Sequence, residues 1–286
     1  MTTAVFYLEY LLSRCWVMES PENGTRQSAY EIDIREAFTG RSVWNSGKVY
    51  SSQSQLVSTK GADIRPDNSF NYSWRVRVWD ETDTPSEWSS EAKFRAVPER
   101  LSSGQWIGAI TRQNAHLPEG RKFHGGELKK PEVKAAWEAV DTLAKKSIYL
   151  RREFYVAKKV KDATAYVCGL GFYEFSLNGE KVGDSEFAPL WSDYDKSVYY
   201  NTYDVTSQVK KGGNAIGVLL GNGFYNVQGG RYRKLQISFG APTLRFRMVV
   251  NYEDGTSETI VSGKDWKYDF SPVLFNCIYG GEDYDA

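Results

Sequence analysis

The chain has 286 residues, enough for two domains with separate cores, and its 36 basic residues balance 36 acidic ones. That balance supplies no net field for nucleic acid or an anionic membrane, and no apolar run reaches the roughly 18 residues that would span a bilayer. Apolar residues (41%) and charged residues (25%) are ordinary for a globular protein, while the aromatic share of 15%, with 19 Tyr and 9 Trp, suits pleated β-sheets and sugar-stacking surfaces alike.

Along the chain, Ala4 to Leu12 is apolar but contains Glu9, with no basic stretch before it and no small-residue cleavage site after it. It makes no clear signal peptide. From Ser28 to Ile34 the pattern alternates, with Tyr30, Ile32 and Ile34 on one face and Glu31 and Asp33 on the other. Phe70 to Asp80 alternates the same way, with Tyr72, Trp74, Val76 and Val78 opposite Ser73, Arg75, Arg77 and Trp79. A turn at Asp83-Thr84-Pro85-Ser86 leads to Trp88 and a last strand, and Val97-Pro98 closes the domain because proline cannot donate into a ladder. Strands at this spacing predict a fibronectin type III-like β-sandwich over residues 20–98.

Residues 99–146 read as a linker with one helix. Leu101 to Lys130 is polar and Gly-rich and holds His116 and His124, too little material for a zinc site or a catalytic triad. Pro131 to Lys145 predicts the helix, with Pro131 in its first turn and Val133, Trp137, Val140 and Ala144 at helical spacing. From residue 147 to 286 strands return: Ile148 to Val156, Ala163 to Leu170, Tyr173 to Leu177, Val198 to Val205, Ala215 to Leu220, Thr243 to Val250 and Ser257 to Val261. Asn178-Gly179 and Asp254-Gly255 are hairpin turn signals. The expectation is a jelly-roll-like sandwich. Cys15, Cys168 and Cys277 form no tight motif, and Cys168, inside an alternating strand, reads as a small buried thiol. Gly221-Asn222-Gly223 lacks the helix start and the Lys-Ser/Thr partner of a phosphate cradle.

Several stretches are similar, in order, to a known family. They are Gln27-Ser28-Ala29-Tyr30-Glu31-Ile32 and Tyr72-Ser73-Trp74-Arg75-Val76-Arg77-Val78-Trp79-Asp80, then Gly169-Leu170-Gly171-Phe172-Tyr173-Glu174, Leu177-Asn178-Gly179 and Val182-Gly183-Asp184. Ala188-Pro189-Leu190-Trp191-Ser192-Asp193-Tyr194, Tyr203-Asp204-Val205-Thr206, Gly221-Asn222-Gly223-Phe224-Tyr225 and the terminal Tyr279 to Ala286 follow. Together they resemble the amino-terminal portion of bacterial α-L-rhamnosidases, glycoside hydrolase family 78. Phe224 stands where the family usually has Trp, and the stretch before Ser20 resembles the family poorly.

The resemblance implies an all-β, non-catalytic segment that supports a downstream (α/α)6 barrel. The parent reaction is inverting hydrolysis of terminal α-L-rhamnose, which needs two carboxyl groups about 6.5–9.5 Å apart. No position here matches the family's catalytic carboxylates, so the chain alone is expected to be inactive. Its implied partners are that barrel and rhamnose-containing glycans or glycosides. Some members bind rhamnose on this second sandwich through a calcium ion, a hard cation suited to vicinal hydroxyls. The sugar-binding candidates are Trp191, Asp193, Tyr194, Asn222, Phe224 and Tyr225, with Gly221 and Gly223 letting backbone approach a ligand; no metal ligand is assigned. Two alternatives stand beside this: a free-standing lectin-like module, and a structural spacer in which these residues build corners or face the barrel.

Overall fold

Alternation decides both halves of the computed structural model, which describes residues 13–37, 39–62, 64, 71–95, 103–115, 117, 129–227 and 236–286. The apolar start, both histidines and Val97-Pro98 lie outside the described residues. The chain divides into two compact units, Met1–Arg100 and Leu101–Ala286.

The first unit contains β1 (Ser13–Arg14), β2 (Ala29–Glu36), β3 (Ser42–Asn45), β4 (Val49–Tyr50), β5 (Val57–Ser58), β6 (Asn71–Trp79) and β7 (Ala92–Arg95). The main sheet runs β3-β2-β6-β7, with β4 also on β2, and β1 pairs with β5. Antiparallel register from Ala29↔Trp79 to Glu36↔Tyr72 places Tyr30, Ile32 and Ile34 opposite Val78, Val76 and Trp74. These form the core with Tyr72 and Val57. The reverse face is charged. Glu31 meets Arg77 at 2.6 Å, and buried Asp33 meets Arg35 at 2.6 Å and Arg75 at 3.2 Å. Arg75 lies 4.4 Å over Trp88, and Arg77 sits between Trp88 (4.8 Å) and Trp79 (5.0 Å), which explains how Trp79 is buried on a polar face.

In the second unit the linker expectation changes. Gln105 donates its amide to Ser262 O (2.8 Å) and Ile107 exchanges backbone bonds with Leu244, so this stretch is a wall of the unit. A short helix, α1 (Ile110–Asn114), follows, and the helix expected over Pro131 to Lys145 is two short ones, α2 (Pro131–Glu138) and α3 (Thr142–Lys145). The break has a local cause: the Asp141 carboxylate accepts the amide of Leu143 at 2.9 Å and so starts a new helix. Val133, Trp137, Val140 and Ala144 still share one cluster, with Leu117.

The sandwich follows. Its strands are β8 (Ile148–Val156), β9 (Val160–Leu170), β10 (Tyr173–Leu177), β11 (Glu180–Lys181), β12 (Asn201–Asp204), β13 (Gly212–Leu220), β14 (Asn226–Val227), β15 (Ile237–Ser238), β16 (Thr243–Tyr252), β17 (Ser257–Val261), β18 (Lys267–Phe270), β19 (Val273–Cys277) and β20 (Gly281–Tyr284). A five-stranded sheet, β11-β10-β13-β8-β18, faces a four-stranded one, β12-β9-β16-β17. Ile148, Leu150, Phe175, Leu177, Ile216, Val218 and Leu220 from the first meet Ala163, Ala165, Val167, Leu244, Phe246 and Met248 from the second. Each large side chain buried here contributes about 1.5–3 kcal/mol. At the β10–β11 turn Asn178 (φ 55°) and Gly179 (φ 85°) both take the left-handed conformation that a type I′ hairpin requires.

Candidate functional site

One end of the second unit is built from three loops: the β9–β10 corner, the long β11–β12 connection, and the turn after β13. Close backbone approach joins the first to the third. Gly171 (φ 127°) lies so near Gly221 that a Cβ would stand 2.2 Å from its carbonyl oxygen, and a Cβ on Gly223 would stand 2.7 Å from the Phe172 nitrogen. Gly221 and Gly223 therefore admit the chain's own neighbouring segments, where the sequence suggested a ligand. Gly221 adjoins the Asn276 amide in the same way, at 2.9 Å.

The predicted residues divide into three groups. Trp191 and Phe224 stack face to face, 4.9 Å between centroids and 19° between planes. Phe172 and Tyr279 meet Phe224 edge-on at 5.9 Å and 6.0 Å, and Phe187 leans on Phe172 at 5.5 Å. Trp191 remains 60% exposed and Phe187 65%, so the cluster is an open aromatic shelf.

Tyr194 and Tyr225 form a second ring group with Phe239. They meet edge-on at 5.1 Å, both contact Phe239, and the Tyr225 hydroxyl donates to Phe239 O at 3.2 Å. Burial, with the neighbouring Cys168 and Tyr225, pushes the Tyr194 hydroxyl up to about 12. These rings support the loop. Asp193 closes the same loop: its carbonyl accepts the amides of Lys196 and Ser197 at 2.8 Å and its carboxylate pairs with Lys196 at 2.9 Å. Cys168, buried as expected, donates from Sγ to Tyr199 O at 3.1 Å beneath this connection.

Asn222 is 1% exposed. Its Nδ2 donates to Lys145 O (3.0 Å) and Asn276 O (3.1 Å), and its Oδ1 accepts from Asn226 Nδ2 (2.8 Å). Both amide protons are used and no atom faces solvent, so the expectation of a sugar contact gives way to a structural clamp.

Residues that the sequence did not single out complete the site. A cleft of about 520 Å³ opens beside the shelf, sharing Phe172 and Phe187 and adding Glu174, Glu186 and Glu282. Lys181 holds Glu186 at 2.9 Å and stands 3.9 Å from Glu174. Phe172, Glu174 and Glu282 lie in stretches that carry the family resemblance, but nothing local marked Phe187 or Glu186. Among the described residues no three His, Cys, Asp or Glu side chains converge as a metal-ligand set. The described residues thus offer no set for the roughly six to eight oxygens that calcium takes, and the chemistry they offer is ring stacking plus carboxylate acceptors.

Residues 158–286 match the family described as the alpha-L-rhamnosidase N-terminal domain, and residues 12–97 the Rha78A-like N-terminal immunoglobulin domain. The expected fibronectin-like domain thus matches its immunoglobulin neighbour within the same sandwich architecture. An α-L-rhamnosidase of Formosa agariphila is 36% identical over 283 residues, 95% of this chain and 29% of that protein. The Streptomyces avermitilis α-L-rhamnosidase solved with L-rhamnose superposes with a TM-score of 0.71 at 25% identity, over 100% of this chain and 42% of that one. An α-L-rhamnosidase from Dictyoglumus thermophilum gives 0.66 at 31% identity, over 94% of this chain and 28% of that one. No described helix is long and apolar enough to cross a membrane. By sequence, by fold and by the order of its two units, the chain corresponds to the amino-terminal portion of α-L-rhamnosidases and spans less than half the length of each of these relatives.

Proposed function

We propose that this chain is the non-catalytic front of an enzyme that removes terminal α-L-rhamnose from rhamnosides, and that its second unit holds rhamnose on the Trp191–Phe224 shelf. The observation that carries the reading is the exposed Trp191 ring stacked on Phe224. L-Rhamnose has a methyl-bearing C–H face that suits an aromatic plane and hydroxyls that suit carboxylate acceptors, here Glu174 and Glu186 in the adjoining cleft. A relative solved with L-rhamnose supports the sugar class. Bond cleavage belongs to the catalytic barrel that this reading places downstream, since inversion needs an acid and a base flanking a water.

The expected affinity is a Kd of about 1 mM, about −4.1 kcal/mol. Calorimetry with L-rhamnose, in EDTA and in millimolar calcium, is the direct test. Heat that disappears in Trp191→Ala, with an unchanged melting curve, is the expected result. The absence of heat in both conditions at several times that concentration overturns sugar binding and leaves the spacer role. An aryl rhamnoside assay tests the other half: turnover above a heat-denatured control would refute the non-catalytic assignment.

A further inference from the structure

A second cleft in the same unit, away from the Trp191 shelf, has the opposite charge character. About 360 Å³ opens between the wall that precedes β8 and the β17–β18 connection, within the size range of small-ligand pockets. Leu150 and Trp266 give it an apolar floor, and Trp106 and Tyr268 present rings to it. Every charged residue lining it is cationic: Arg112, Lys264 and Lys267. None of the three has an ion-pair partner among the described residues. The one carboxylate between the two lysines, Asp265, is turned to Arg152 at 2.6 Å.

The walls are fixed before any ligand arrives. Arg245 stacks 5.3 Å from the Trp106 ring and donates Nε to Gly104 O at 2.7 Å, which sets the ring's orientation. Ser262 Oγ donates to Gln105 O at 2.6 Å and stitches the wall to the β17 end. Arg112 lies 4.8 Å over Phe270, which fixes its guanidinium. Cations without an ion-pair partner among the described residues, lining one cleft with aromatic residues, complement a ring that has C–H faces and carries a negative group.

We propose that this cleft binds an anionic saccharide, with the sugar ring against Trp106 and Tyr268 and its carboxylate or sulfate ester held by Arg112, Lys264 and Lys267. The site is independent of the Trp191 shelf. A bare inorganic anion would meet the cations and leave the rings unused, and a neutral sugar would do the reverse, so neither alone accounts for the arrangement.

The test is calorimetric titration of the chain with trigalacturonate, a heparin-derived sulfated disaccharide, maltotriose and sodium sulfate. Binding of at least one anionic saccharide is expected, weakening as salt rises, with maltotriose and sulfate silent at the same concentration. Whichever anionic saccharide binds more tightly identifies the charged group. Lys264→Glu with Lys267→Glu should weaken binding by about tenfold or more, while Lys264→Arg with Lys267→Arg and Trp191→Ala should retain it. Failure of both anionic saccharides to bind, affinity for sulfate equal to theirs, or undiminished binding in the double glutamate variant overturns the proposal.

Discussion

Replacing Asn222 by alanine tests whether this residue is a clamp or a ligand contact. The substitution removes two donated bonds, to Lys145 O and Asn276 O, and the acceptor for Asn226 Nδ2. Lys145 O keeps the longer bond from Asn276 Nδ2 at 3.4 Å, so the stranded groups are Asn276 O and Asn226 Nδ2. Each stranded group costs about 1–3 kcal/mol, and with the small cavity left behind the expected loss is about 3–5 kcal/mol. For a unit of this size that lowers Tm by about 8–15 °C. Urea unfolding followed by tryptophan fluorescence measures it, with the slope unchanged so that the shift in midpoint reports stability. Asn276→Ala should lose a similar amount, and the double variant should lose less than the sum because the two amides serve one network. At a temperature where Asn222→Ala is folded, any sugar affinity should match that of the unsubstituted chain. A stability loss below about 1 kcal/mol, or selective loss of sugar affinity in a fully folded variant, would refute the clamp.

Gly171→Ala should be worse tolerated, because the added carbon would stand 2.2 Å from a backbone oxygen at a φ of 127°; a melting curve unchanged by it would contradict the described corner. Asp33 contributes to the acid stability of the first unit. Burial alone would raise its pKa, but hydrogen bonds from Ser42 and Arg35, the Arg35 charge and the bond from Arg75 hold it below the usual value. A depressed folded-state pKa stabilises above the unfolded value, about 3.9, and that contribution is lost as pH falls through the folded one. Stability should therefore drop on acidification below about pH 4, and an equally steep drop in Asp33→Asn would exclude this residue as the cause. Burial, only partly offset by the Arg245 charge, pushes the Cys168 thiol up to about 12. At pH 8 a thiol reagent should modify exposed Cys15 and leave Cys168 intact until denaturant is added; peptide mapping that finds Cys168 labelled in the native state would contradict its burial.

Much of the fold was legible because strand alternation is a local signal. Tyr30, Ile32 and Ile34 needed only a period of two to be placed on one face, and register with Val78, Val76 and Trp74 followed. Asn178-Gly179 was legible for the same reason, since two adjacent left-handed residues select one hairpin turn. The helix break was hidden because Trp137, Val140 and Ala144 keep helical spacing across it, while the Asp141 cap acts on backbone amides that leave no mark in the pattern. β18 and β20 carry little alternation because most of their side chains are exposed.

The order and spacing of residues thus determined the β-rich class, the family resemblance and the aromatic loops from which a sugar surface can be built. Tertiary structure alone decided which of those loop residues reach solvent. Phe172 and Phe224 meet because glycines let distant backbone segments nearly touch, and Asn222, in the same Gly-rich turn, is turned inward to satisfy carbonyls from elsewhere in the chain. Exposure and pairing depend on what long-range folding brings alongside a residue, and no local pattern carries that information.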